Sequence, residues 1–156
     1  MSLETKTKLT PETISSVQEL IHINVDSRNT FQELADGTAN SSVAIMFREL
    51  ASERNRNVAE LESLLNFNDA TIEETGSLAG AAHRLLISLR ATLGAGTTTM
   101  LNEAEAAEES IEKKYEEVLT RDPGSAVSDI LHRQFGGIRA AHQRVRAIRD
   151  AHRRAN

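Results

Sequence analysis

The chain contains no cysteine and no tryptophan, one tyrosine, four phenylalanines and two prolines among 156 residues. Without cysteine there is no disulfide framework, no cysteine-ligated zinc or iron–sulfur cluster, and no thiol nucleophile. Two prolines and eight glycines supply too little turn chemistry for a many-stranded sandwich or barrel. No apolar run approaches the roughly 20 residues that a membrane span needs. The opening Met1-Ser-Leu-Glu-Thr-Lys-Thr-Lys lacks the apolar stretch of a signal peptide. These absences lead us to expect a cytoplasmic protein with no membrane partner. What is present is ordinary for a globular chain, 39% apolar and 26% charged residues, and the length suffices to bury one core without staples.

Helical periodicity organises that core. Thr10-Pro11 reads as an N-cap followed by proline at the first helical position. Apolar residues then recur at Ile14, Val17, Leu20, Ile21, Phe31 and Leu34 until Gly37, where a left-handed stop is expected. Ser41 or Ser42 is expected to cap a second helix carrying Val43, Met46, Phe47, Leu50, Val58, Leu61, Leu64 and Leu65. Leu78–Leu93 is a shorter helical stretch. Further stretches follow Thr97 and, after the turn at Arg121-Asp122-Pro123-Gly124, Ser125. Gly136-Gly137 inside the last one marks a kink or a close helix approach. The predicted helices are 11–36, 41–65, 78–93, 97–120 and 125–153, with residues 1–10 a flexible N-terminus and 11–153 a single domain. The short links within each pair predict antiparallel hairpins. Sixteen helical residues in 78–93 would rise about 24 Å, close to the length of a main helix. The chain would climb back along the bundle, leaving the second and third main helices parallel. The predicted fold is all-α, a ferritin-like four-helix bundle with a long helical crossover.

Each main helix carries polar residues on its apolar stripe near mid-length: Asn24 on the first, Glu53 and Asn57 on the second, Glu105 and Glu108 on the third, Gln134 and His142 on the fourth. A buried carboxylate is costly unless paired or metal-bound, so these groups are expected to meet one another. Counting from the turns sets Glu53 opposite Asn24, His142 level with Glu105, and Gln134 level with residues 111–113. A two-metal carboxylate centre needs a Glu on each of two helices and Glu-x-x-His on the other two. Here Arg56 stands where His belongs, Arg139 stands where Glu belongs, and the first helix offers Asn24 or Asp26. The pattern favours a hydrogen-bonded polar layer closed by Arg56 or Arg139. The alternative is a single iron, manganese or zinc ion held by Glu53, Glu105 or Glu108, and His142.

Charge is unevenly spread. Residues 103–122 carry eight acids against three bases, and residues 133–156 carry seven arginines against one aspartate. The last two helices are thus expected to complement each other, within a subunit or across a dimer. Nucleic-acid binding is disfavoured, because the basic stripe lacks interleaved aromatics and helix-turn-helix spacing. Leu85, Leu86, Ile87 and Leu89 make the crossover stretch apolar on more than one side, from which a homodimer is expected. No nucleophile elbow or phosphate-binding loop is present to support hydrolase chemistry. The expected role is non-catalytic: structural, interaction-based or stress-related. The alternative is a metal-binding protein or oxidoreductase.

Taken in order, several phrases resemble one family. These are Ile23-Asn24-Val25-Asp26 with Phe31, Glu53-Arg54 with Ala59-Glu60-Leu61, and Gly76-Ser77 with Gly80-Ala81-Ala82-His83-Arg84. They continue with Glu105-Ala-Ala-Glu108 and Tyr115-Glu116, then Gln134-Phe135 with Ile138, Ala141-His142, Arg144-Val145-Arg146 and Arg149-Asp150. Over Ile14 to Asp150 the set resembles a bacterial family of uncharacterised ferritin-like four-helix-bundle proteins, a domain of unknown function. The resemblance implies a ferritin-like bundle and a cytoplasmic setting, and no reaction. Thr30 replaces the family's usual glycine before Phe31, and Leu85-Leu86 replaces a usual aromatic.

Overall fold

A computed structural model describes residues 5, 8–70, 96–121 and 123–155. Among these residues there are four helices: α1 (Pro11–Gly37), α2 (Ser41–Phe67), α3 (Thr97–Thr120) and α4 (Ser125–Ala155). The expected crossover helix, 78–93, lies outside the described residues. A single isolated bridge, Thr5 to Lys8, is the only β-type pairing among the described residues.

Local chemistry sets the helix ends. The Thr10 hydroxyl accepts from the Thr13 amide at 3.2 Å, satisfying a first-turn donor, and Pro11 follows at N1. At α2 the cap is Asn40, not Ser41 or Ser42: its Oδ1 accepts from the Val43 amide at 3.1 Å. Nor does Gly37 form a left-handed stop. It ends α1 as a helical residue, and the chain turns at Thr38 in extended conformation, its amide still bonded to the Leu34 carbonyl. Gly96 is the glycine that the backbone demands. Its φ of +105° is open to glycine alone, and α3 starts there without a side-chain cap. The three residues between α1 and α2 force an antiparallel hairpin, as does the turn between α3 and α4.

Contacts between helices give the arrangement of the bundle. Glu49 pairs with Arg144 and Glu60 with Arg133, so α2 and α4 run antiparallel. Asn24 bonds Tyr115, and Ser16 and Glu19 bond Arg121, so α1 and α3 also run antiparallel. Since α1 is antiparallel to both α2 and α3, these two are parallel. That is the connectivity expected from the long link between them. Both glycines of the Gly136-Gly137 pair sit in unbroken helix. Open space surrounds Gly136, whereas a Cβ on Gly137 would lie 2.9 Å from Glu53 Oε1. The pair therefore marks a close approach of α2 to α4, not a helix break.

The apolar core is divided in two. One cluster, at the α1–α2 turn, holds Phe31, Leu34, Met46, Phe47, Leu50, Met100, Leu101 and Val145. The other, at the opposite end, holds Val17, Leu20, Ile21, Leu61, Leu64, Val118, Val127 and Leu131. Each buried large side chain contributes on the order of 1.5–3 kcal/mol, so either cluster alone is a substantial core. Between them, near mid-height, the buried residues are polar.

A buried polar layer as candidate functional site

On α2 the stripe Phe47–Leu50–Arg54–Val58–Leu61 keeps helical spacing, and Arg54 occupies its middle position with no exposed surface. Glu108 takes the equivalent place on α3, between Ala104 and Ile111, and is also fully buried. Arg54 Nη2 donates to Glu108 Oε1 at 2.5 Å and to Oε2 at 2.6 Å. Arg54 Nε donates to the Ser27 hydroxyl of α1 at 3.1 Å, and the guanidinium lies 5.9 Å from the centre of the Phe31 ring. The ion pair is held by a single nitrogen rather than by a two-nitrogen fork. Arg54 Nη1 is buried and finds no hydrogen-bond partner among the described residues. Burial pushes the Glu108 carboxyl above its ordinary range, opposed by the charge and hydrogen bonds of Arg54 and by the charge of His142; nearby Glu53 adds to the rise.

One turn further toward the second cluster lies an uncharged relay that crosses all four helices. Asn57 Nδ2 donates to Asn24 Oδ1 at 3.2 Å. Asn24 Nδ2 donates to the Leu20 carbonyl and to the Tyr115 hydroxyl, both at 2.8 Å. The Tyr115 hydroxyl donates to Gln134 Oε1 at 2.8 Å, and Gln134 Nε2 donates to Glu60 Oε1 at 2.7 Å. Glu60 is closed off at the surface by Arg133. Every donor in this chain meets an acceptor, which is the condition for a buried network to stabilise a unique packing. Burial raises the Tyr115 hydroxyl pKa well above its usual value, so the ring stays neutral.

A third group seals the α3–α4 seam. His142 Nδ1 lies 2.6 Å from Glu112 Oε2, and His142 Nε2 lies 3.6 Å from Glu105 Oε1. Glu105 is also paired with Arg146 at 3.0 Å and with Arg149, and Glu112 with Arg139 at 3.5 Å. The acidic α3 and basic α4 thus complement each other within one chain.

The sequence expectations meet this geometry unevenly. Asn24, Asn57 and Gln134 are brought together, joined through Tyr115, a residue that was not among those expected in the layer. Glu108 reaches the centre; Glu105 remains half-buried on the seam with His142. Glu53 is half-buried, faces Gly137, and makes no hydrogen bond or ion pair among the described residues. Glu53 and His142 are close enough to Glu108 to shift its titration, yet neither is bonded to it. Two registers read by counting are about one turn off, since Asn24 meets Asn57 rather than Glu53 and Gln134 meets Tyr115, whereas His142 does lie beside Glu105.

The expected arginine is corrected. Arg56 is exposed, at the edge of a groove of about 430 Å³ between α2 and α4. Arg139 is exposed too, stacked on Phe135 and paired with Glu112. The arginine that closes the centre is Arg54. From the sequence, Arg54 stands only beside Glu53 in the family phrase, with no expected place in the layer. Its place on the apolar stripe, seven residues after Phe47 and seven before Leu61, was the signal that could have found it. Among the described residues no group of three or more His, Asp and Glu side chains is arranged to hold a metal ion. No described helix is long and apolar enough to cross a membrane.

These features define an all-α four-helix-bundle protein with a charged and hydrogen-bonded layer between two apolar clusters. The chain belongs to the family described as a domain of unknown function, DUF2383, whose model matches residues 12–121. The match spans α1, α2 and α3 and stops before α4, so Arg54, Glu108 and Tyr115 lie inside it and Gln134 and His142 beyond it. No protein of curated function matches the chain.

Proposed function

We propose that this is a non-catalytic, ferritin-like bundle protein with a structural or interaction role, stress-related in the cell, whose centre is held by an internal cation in place of a metal. The observation that carries the reading is the Arg54 guanidinium, fully buried with both Glu108 oxygens within 2.6 Å of one nitrogen. A guanidinium there neutralises the carboxylate that a metal would otherwise need, and it fills the space. The relay through Asn24, Tyr115 and Gln134 supports the same reading, since it uses its polar groups on one another. The test is the metal content of protein purified without chelator, before and after incubation with ferrous iron, manganese or zinc. Substoichiometric metal in all cases is expected. About one ion retained per chain, lost in Glu53→Gln or His142→Ala, would establish the metal-binding alternative instead.

The reading extends to assembly and setting. The chain is proposed to form a homodimer in the cytoplasm. Support for the dimer is the sequence run Leu85, Leu86, Ile87 and Leu89, which at helical spacing would be apolar on more than one side. Light scattering at micromolar concentration should return twice the chain mass, and a monomer there would refute it.

A further inference from the structure

The helices are not equally close around the bundle. Backbones pack along the α1–α2, α3–α4 and α1–α3 seams, whereas those of α2 and α4 come together at few points among the described residues. The α2–α4 seam instead holds the groove of about 430 Å³, lined by Asn57, Glu60, Gln134 and Gly137 among others. Polar side chains bridge it. Glu49 pairs with Arg144 at 2.8 Å, and Glu60 pairs with Arg133 and accepts from Gln134 at 2.7 Å.

Both ion pairs are open to solvent. The Glu49 and Arg144 side chains are 54% and 48% exposed, those of Glu60 and Arg133 34% and 63%. Pairs this exposed are weak, and salt screens them. The other links between the hairpins, Asn24–Tyr115 and Arg54–Glu108, are buried, where salt has little effect. Both hairpins contribute to both apolar clusters, so an opening between them is a partial splaying about the α1–α3 seam. Asn57 and Gln134, two members of the relay, already line the groove. A small splaying there exchanges the Glu60–Gln134 bond for bonds to solvent and leaves Asn24 and Tyr115 joined.

We propose that the α2–α4 seam is the gate of the bundle. Glu49–Arg144 and Glu60–Arg133 form a salt-sensitive latch across it, and its opening admits water or a small uncharged solute to Asn57 and Gln134. The latch stands independently of the role proposed for Arg54.

Because the chain has no cysteine, a single introduced thiol reports opening at its own position. Ala141 lies one turn after Gly137 on the same face of α4 and is 5% exposed; Ala104, one turn before Glu108 on α3, is fully buried. The test is the rate at which the uncharged reagent iodoacetamide labels Ala141→Cys and Ala104→Cys in the folded full chain. Ala141→Cys is expected to react about tenfold or more faster, since a local opening is more frequent than global unfolding. Raising salt from about 0.01 M to 0.15 M shortens the screening length from about 30 Å to 8 Å and should widen that ratio about threefold. Removing the latch with Glu49→Gln and Arg133→Gln together should widen it as much at low salt, and salt should then add nothing. Glu109→Gln, which breaks an exposed pair with Lys113 inside α3, should leave the ratio unchanged. Circular dichroism establishes that each variant is folded, and should Ala104→Cys not fold, the buried Val118→Cys replaces it as reference. Equal rates at the two thiols, a ratio that salt and the latch variants leave alone, or an equal shift in Glu109→Gln would overturn the proposal.

Discussion

Replacing Arg54 with methionine keeps a long side chain on the apolar stripe and removes the charge, leaving Glu108 buried with no hydrogen-bond donor in reach. Both residues have no exposed surface, so solvent cannot compensate. Breaking a buried pair from one side costs about 3–5 kcal/mol, most of it the uncompensated charge. For a chain of this size about 2–4 °C of melting temperature accompanies each kcal/mol, so a fall of roughly 6–20 °C is expected. The loss should depend on pH in a defined direction. Burial holds the folded Glu108 carboxyl above its ordinary 4.5. A group with a raised folded pKa favours the fold in its protonated form. Its contribution is complete below the unfolded pKa and is lost as pH rises through the folded one. Removing Arg54 removes the largest influences that pull the carboxyl down, and so raises it further. The gap between Arg54→Met and wild type should therefore be widest at neutral pH and narrow on acidification toward about pH 4. The paired change Arg54→Met with Glu108→Leu should recover most of the loss, because apolar packing can replace a buried ion pair at little or no net cost. Urea denaturation of wild type, Arg54→Met, Glu108→Leu and the double variant at two pH values measures this directly. An Arg54→Met variant within about 1 kcal/mol of wild type at neutral pH, or a double variant no better than the single, would refute the reasoning.

Three further outcomes follow from the same geometry. Tyr115→Phe removes the hydroxyl between Asn24 and Gln134 and strands the Gln134 oxygen, at about 1–3 kcal/mol in urea denaturation, with helical content unchanged. Gly136→Ala meets open space and should stabilise by up to about 1 kcal/mol through helix propensity. Gly137→Ala should give less, because its Cβ must displace the Glu53 carboxylate, and the difference between the two melting temperatures reports how closely α2 approaches α4. Asn40→Ala removes the cap on the Val43 amide and should cost about 1 kcal/mol, whereas Ser41→Ala and Ser42→Ala should be nearly neutral.

The helices and their order were legible in the sequence because they rest on local rules. A 3.6-residue apolar period, the Thr10-Pro11 start and the glycine-bearing turns act within a few residues and need no partner. The parallel course of α2 and α3 could be read as well, since a long link between two hairpins allows it and a short one does not. The α4 residues Gln134 and His142 were also marked by the sequence, although the family match ends before them. What local rules could not give was the identity of the partners across the centre. An arginine and a glutamate on an apolar stripe say that both must be compensated, but not by whom. Arg54 directly follows Glu53, so a rotation of about 100° around the α2 axis, with only about 1.5 Å of rise, decides which of the two enters the layer. Only the assembled bundle fixes that rotation, through the packing of Phe31, Phe47 and Leu50 on one side and Leu20, Leu61 and Val118 on the other. With those clusters in place, Arg54 points at Glu108, Tyr115 falls between Asn24 and Gln134, and Arg56 is turned to solvent. The sequence by itself determined that a polar layer must exist; the tertiary structure decided that an internal guanidinium sits beside its buried carboxylate.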